Sequence, residues 1–274
     1  MKKILLFMLP VMALSLASCE KNDGELSGDD VIEFKDPNFL KALLVVKEIE
    51  IYDVSTREWI PYLMDVDANK DGAITVNEAQ KVKGLELRDS ETDESFNISE
   101  MPEIKHFTSL TYLDCSMNKL TSLDLSQNTA LTGLMCYGNQ LTSLNVSNCT
   151  ALDDLTCPGN QLTSLDLSQN TALTSLMCDG NQLTSLNVSN NPALRYLYCI
   201  NNQLTSLYVG SCPDLVELFC DDNQLTSLDV HYNRELKHLS CSNNPLEKLI
   251  IYADNEMDMD DIESEYGDII EYEY

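Results

Sequence analysis

Residues 110–130 read LTYLDCSMNKLTSLDLSQNTA, and they decide the fold. Leu110, Leu113, Cys115, Asn118 and Leu120 stand at offsets that recur every 21 residues. Leucines at 110, 131, 152, 173, 194, 215 and 236 each open a copy of L-x-x-L-x-C-x-x-N-x-L-x-x-L-x-[LVI]. The seven copies fill 110–256. A unit this short cannot enclose its own leucines, so the copies must stack and bury them against one another. In Leu113-Asp114-Cys115 polarity alternates with period two. That predicts a short strand with leucine and cysteine inward and aspartate outward. Stacked strands would run parallel, about 4.8 Å apart. The Asn118 series then falls at the turn beside the strand, where a carboxamide can pair backbone groups that the turn leaves open.

The spacing of Leu110, Leu113, Cys115, Asn118 and Leu120 resembles that of leucine-rich repeats. Leu120, Leu123, Leu125 and Asn128 echo it within the same copy, which resembles the short nested repeats of bacteria, near the internalins in style. The resemblance implies an α/β solenoid with short parallel strands and 21-residue repeats. It speaks for the fold and leaves the ligand open.

The cysteine row, Cys115 to Cys241, fills the inward slot where other leucine-rich repeats place leucine. A thiol there acts as a small buried hydrophobe. Parallel Cβ vectors orient neighbouring thiols poorly for disulfides, and zinc needs four converging ligands rather than a line. Cys149 and Cys212 replace the second-half asparagine of Asn128, Asn170, Asn191 and Asn233.

Both ends of the stack need covering. Val82, Leu85 and Leu87 imitate the repeat spacing, so 82–109 reads as a capping coil interrupted by the acidic insertion RDSETDESFN. The segment 257–274 reads as an acidic tail or cap, with Ile269 and Ile270 as a candidate terminal strand.

One motif carries sharper chemistry. Residues 67–78, DANKDGAITVNE, fit the EF-hand pattern D-x-[DN]-x-[DN]-G-x5-E. In that resemblance Asp67, Asn69 and Asp71 give side-chain oxygens, Ala73 a carbonyl, Thr75 a direct or water-mediated oxygen, and Glu78 both carboxylate oxygens. Calcium is the cation implied, and an empty loop that merely turns is the alternative. Helices are expected at Arg57–Val66, with Pro61 in its first turn or at a kink, at Thr75–Lys83, and from the Asp36-Pro37 start to about Lys47. Residues 36–81 thus read as a small helical unit. No second loop with its glycine accompanies this one.

The N-terminus, MKKILLFMLPVMALSLASC, has a basic start and an apolar stretch too short to span a bilayer comfortably. Leu16-Ala17-Ser18-Cys19 resembles the lipobox of bacterial lipoproteins, which implies a signal peptide over 1–18 and lipid on Cys19. The acidic segment after it, within a flexible tether over 19–35, resembles the surface-export signals of Bacteroidetes lipoproteins. The expected location is the outer membrane, lipid-anchored and surface-exposed. A periplasm-facing lipoprotein and an ordinary signal peptide are the alternatives.

The chain of 274 residues carries 45 acidic and 17 basic side chains, a formal charge of −28. That sign repels nucleic acid and anionic lipid headgroups. The second half of each copy repeats Thr-Ser-Leu and reads as scaffold. Outward positions of the first half vary and collect Tyr112, Met135, Tyr137, Met177, Tyr196, Tyr198, Phe219 and His238. Contiguous apolar area of this kind marks binding faces, although scattered surface apolar residues are also common. No nucleophile elbow, zinc motif or phosphate loop occurs, so the expectation is no enzyme. The leading expectation is a protein-binding or adhesion module meeting a partner on a cell or matrix surface. The alternatives are a glycan-binding accessory lipoprotein of a polysaccharide-uptake system and a structural spacer.

Overall fold

The computed structural model describes residues 27–45, 48–53, 58–63, 66–88, 96–253 and 266–273. Residues 1–18, expected as a signal peptide, Cys19, expected to carry lipid, and most of the acidic insertion lie outside the described residues.

The repeats form a solenoid. Its main sheet is parallel and eight-stranded: Gly84–Glu86, Tyr112–Asp114, Gly133–Met135, Asp154–Thr156, Ser175–Met177, Tyr196–Tyr198, Glu217–Phe219 and His238–Ser240 lie side by side in chain order. Register is uniform, so that Leu113 pairs Leu134, Leu155 pairs Leu176, and Leu197 pairs Leu218. Each strand is three residues long because the coil must turn at once to complete its circuit. The central leucines and the seven cysteines point inward and are buried. Leucine, isoleucine or valine from the second half of each copy closes the core from the other side.

Asparagine ties coil to coil. Asn160 Nδ2 donates to the carbonyls of Cys136 and Cys157 at 3.0 and 3.1 Å, and its Oδ1 accepts the Leu141 N–H at 3.0 Å. The same pattern recurs at Asn139, Asn181, Asn202, Asn223 and Asn244. The bonds to Cys136 and Leu141 reach the preceding coil, and the bond to Cys157 closes the turn of Asn160's own coil. Just before this asparagine, every coil has one residue in the left-handed region: Met117, Gly138, Gly159, Gly180, Asn201, Asp222 and Asn243, with φ between 53° and 64°. Glycine, asparagine and aspartate tolerate that conformation, and methionine does so at a cost.

The N-terminal unit is less helical than its sequence implied. A helix forms over Pro37–Val45, but the helix expected at Arg57–Val66 does not. Glu58–Leu63 is instead a strand, antiparallel to Glu48–Asp53. Ile49, Ile51, Tyr52, Trp59, Ile60 and Tyr62 favour strands, and Pro61 opposes helix. Of the helix expected at Thr75–Lys83 only Val76–Ala79 forms, overlapping the end of the EF-hand-like loop and started by a capping box between Thr75 and Glu78.

Of the flexible tether expected over 19–35, the described part, 27–35, is ordered against the cap instead. Residues 27–35 are docked: Ile32 is buried, and Phe34 packs edge-on against Phe39 with ring centroids 5.2 Å apart. Asp36 fastens this unit to the capping coil. Its carboxylate accepts from the Ser99 N–H and hydroxyl, the Glu100 N–H and the Asn38 N–H. At the far end Ile270–Glu273 adds a parallel strand beside Lys248–Tyr252. Tyr266 is buried over the last coil, its hydroxyl donating toward the carbonyls of Cys241 and Asn244.

Candidate functional sites

The outward surface of the main sheet is organised in columns, because residues two apart on a strand share a face. The middle column reads Glu86, Asp114, Met135, Thr156, Met177, Tyr198, Phe219, Ser240. One flank carries Tyr112, Asp154, Tyr196, Glu217 and His238. The hydrogen-bond ladder continues past the cysteines, so Tyr137, Asp179, Ile200 and Asp221 form the other flank. The sheet therefore gathers all eight face residues expected from sequence. His238 is exposed; the other seven are half-buried, each partly covered by its neighbours.

Their contacts fix them. Tyr198 and Phe219 stack with centroids 4.8 Å apart and planes 10° from parallel. The Tyr198 hydroxyl donates to Glu217. Burial and that carboxylate push the Tyr198 phenol up to about 12. The Tyr112 hydroxyl donates to the Met135 sulfur at 3.4 Å, and the Arg88 guanidinium lies 5.3 Å from the Tyr137 ring centre. Rings held this way lose little side-chain entropy on meeting a partner. Sequence reasoning passed over the carboxylates among them. Burial pushes the Asp154 and Asp179 carboxyls above the ordinary aspartate range, with Asp153 adding to the rise at Asp154. It also passed over Tyr208 and Tyr232, which stand 61% and 55% exposed away from this sheet; as isolated tyrosines they give no periodic signal.

The loop 67–78 is a tight turn built on its own oxygens. Asp67 accepts the N–H groups of Asp71 at 3.1 Å and Gly72 at 2.8 Å, and Asp71 accepts that of Ala73 at 2.9 Å. Asn69 Oδ1 accepts the Asp71 N–H at 2.9 Å. Lys70 and Gly72 take positive φ, which gives the turn its sharpness. Burial raises the Glu78 pKa, but hydrogen bonds from Thr75, Asn69 and Ala68 outweigh it and leave the carboxyl below its ordinary range. Among the described residues no three His, Cys, Asp or Glu side chains form a metal cluster. The loop offers a mixed set: three carboxylates, one amide, the Thr75 hydroxyl and the Ala73 carbonyl. Oxygen-only donors suit a hard cation such as calcium. Beside the loop, Val31 bridges Thr75, the Ile32 N–H donates to the Ile74 carbonyl at 2.8 Å, and the Val76 N–H donates to the Asp30 carbonyl at 3.1 Å.

The cysteine row is buried on the inner side of the main sheet, beneath the strand face. All nine described cysteines are thiols. Burial pushes the thiols of Cys115, Cys136, Cys178, Cys199 and Cys220 well above the usual value and that of Cys157 up to about 12. Thiolate chemistry is suppressed there.

These features define a leucine-rich-repeat solenoid with a ringed and acidic strand face. Solved structures share that fold. The Leptospira interrogans leucine-rich repeat protein LIC12759 is similar at 30% identity and TM-score 0.57, over 64% of this chain and 46% of that one. Internalin C2 of Listeria monocytogenes is similar at 22% identity and TM-score 0.59, over 78% and 86%. The ectodomain of the Arabidopsis thaliana receptor kinase GASSHO1/SCHENGEN3, solved in complex with Casparian strip integrity factor 2, is similar at 25% identity and TM-score 0.50, over 64% and 22%. The chain thus spans less than half of the Leptospira protein and about a fifth of the plant ectodomain. No family model and no curated protein matches it.

Proposed function

We propose that this protein is a cell-surface lipoprotein that binds a protein partner through the outward face of its main sheet. In this reading Cys19 carries the lipid and calcium fills the loop 67–78. The observation that carries the reading is the prearranged row Met177, Tyr198 and Phe219, in register on adjacent strands and half-buried, with the Tyr198 and Phe219 rings stacked. A rigid aromatic patch of this kind is what interface hot spots require. The fold shared with a plant receptor ectodomain solved with its factor supports the same use of a repeat surface. The face supplies positioned anchors, and in this reading its role is binding.

Calcium's part is to hold the N-terminal unit. Asp67, Asn69, Asp71, Ala73, Thr75 and Glu78 would supply its oxygens, and the bridge from Val31 to Thr75 would pass its order to the docked segment. Outside a cell, millimolar calcium fills even weak sites of this type.

Two experiments test the reading. An array of matrix proteins, cell-surface proteins and glycans is probed with wild type and with Tyr198→Ser/Phe219→Ser. A protein ligand captured by the first and lost by the second supports it; equal capture by both would sink it. Calorimetry with calcium should show one site in wild type and none in Asp67→Ala or Glu78→Ala. Unchanged titrations in both variants would remove calcium from the account.

A further inference from the structure

The strand face has a charge as well as a shape. Its three columns hold Glu86, Asp114, Asp154, Asp179, Glu217 and Asp221, and against these six stands one arginine, Arg88. Carboxylates flank the aromatic row on both sides. Asp154 and Glu217 lie on one flank, Asp179 and Asp221 on the other. The flanks are four residues apart along a strand, or about 13 Å. Asp179 and Asp221 lie two strands apart in one column, or about 10 Å.

These carboxylates are poorly compensated. Among the described residues, none of the four pairs with a lysine or arginine; the ion pairs present lie elsewhere, at Lys35, His231 and Lys248. What they accept is weaker. Glu217 takes the Tyr198 hydroxyl, Asp179 the Ile200 N–H at 2.8 Å, and Asp221 the Ser240 hydroxyl and the Ser242 N–H. Asp154 has a 3.4 Å contact from the Thr156 hydroxyl. All four are partly withdrawn from water. A half-desolvated carboxylate with spare lone pairs gains most from an ammonium or guanidinium group.

We infer that the occupant of this face is an extended, arginine- or lysine-bearing segment of a partner protein. Its backbone lies over the Met177–Tyr198–Phe219 row, and its cationic side chains reach the carboxylates on both flanks. An extended chain advances about 6.6 Å every two residues. Side chains of arginine length therefore bridge from the central row to either flank, and the aromatic faces accept guanidinium planes as well. A neutral glycan could use the rings but would leave the carboxylates unpaired; an anionic one would be repelled.

This inference rests on the strand face being the binding surface, and the test separates the two. The probe is a fluorescein-labelled decapeptide of alternating arginine and alanine, compared with its glutamine counterpart. Fluorescence anisotropy is measured on wild type, on Asp179→Asn/Glu217→Gln/Asp221→Asn, and on Asp124→Asn/Asp166→Asn/Glu235→Gln, which removes equal charge from exposed positions off the sheet. The amide replacements keep an oxygen that can accept a hydrogen bond, and the single variant Glu217→Gln guards against loss of folding in the triple. Binding of the arginine peptide should weaken about tenfold or more in the face triple, measurably in Glu217→Gln, and less than about twofold in the control. Equal weakening in the face and control triples, or no preference for arginine over glutamine, would overturn the inference. If an array ligand is lost by Tyr198→Ser/Phe219→Ser yet is untouched by the face triple, the cationic partner is refuted and the strand face survives. If neither variant matters, both readings fall.

Discussion

Two asparagine ladders run through the solenoid, and substitutions in them should behave differently. Asn181 makes two bonds to the preceding coil and one within its own: its Oδ1 accepts the Leu162 N–H at 3.0 Å, and its Nδ2 donates to the Cys157 carbonyl at 3.1 Å and to the Cys178 carbonyl of its own coil at 3.0 Å. In Asn181→Cys the thiol is a poor acceptor, so the buried Leu162 N–H is orphaned, while the Cys157 and Cys178 carbonyls each lose one of two amide donors and keep the other, from Asn160 and Asn202. An orphaned buried N–H costs about 1–3 kcal/mol and a carbonyl that keeps one donor costs little, so the total is about 2–3 kcal/mol. Asn170 belongs to the second ladder. Its Nδ2 donates to Val146 and Cys149 carbonyls at 3.0 and 2.9 Å, while its buried Oδ1 has no partner. The equivalent slot already holds Cys149, whose thiol reaches the Leu125 carbonyl at 3.4 Å and the Asn128 carbonyl at 3.6 Å. Asn170→Cys therefore weakens two donations but removes an unpaired oxygen, and its cost should stay within about 1 kcal/mol. Urea unfolding followed by circular dichroism, under reducing conditions, measures both. Equal destabilisation by Asn181→Cys and Asn170→Cys would refute the assignment of distinct roles to the ladders.

Other outcomes follow from single features. Met117 alone places a long side chain in the left-handed slot, at φ 59°, so Met117→Gly should stabilise the fold by about 0.5–1 kcal/mol, read as a raised melting temperature. Asp36 is held below the ordinary aspartate value of 3.8: burial alone would raise it, but bonds from Ser99, Asn38 and Glu100 prevail. Its contribution, about 2 kcal/mol against Asp36→Asn, should be full above pH 5 and fade as acid protonates the carboxylate; a difference independent of pH down to 2 would contradict this. A thiol reagent should leave the row Cys115 to Cys241 unmodified in native protein and find nine thiols after denaturation in the described part of the chain. Stoichiometric disulfides would overturn the packing role.

The repeats were readable because burial acts with a fixed period: leucine, cysteine and asparagine each answer one geometric demand in every coil. The left-handed slot was legible only in retrospect. Glycine, asparagine and aspartate at 138, 159, 180, 201, 222 and 243 announce it, and Met117 obscures it. The N-terminal unit was harder to read because it occurs once. Glu58–Leu63 sits next to an EF-hand-like loop, which favoured a helix by analogy over its own β propensity. Val31, Ile32 and Phe34 lie within an acidic stretch whose average composition hid a docked segment. At the site, apolar residues stood out against a polar repeat. The carboxylates between them did not, because an outward aspartate in so acidic a chain looks like solvated surface until the strands place it beside a ring.

The central claim is that the main strand face, and no other surface, meets the partner. The direct measurement is the affinity of an array-identified protein ligand for two double variants: Tyr198→Ser/Phe219→Ser on the face and Tyr208→Ser/Tyr232→Ser away from it. The account predicts at least about a hundredfold loss for the face pair, from two hot-spot rings of roughly 1.5–2 kcal/mol each, and less than about threefold for the other pair. The reverse order, with the more exposed Tyr208 and Tyr232 carrying the affinity, would contradict it.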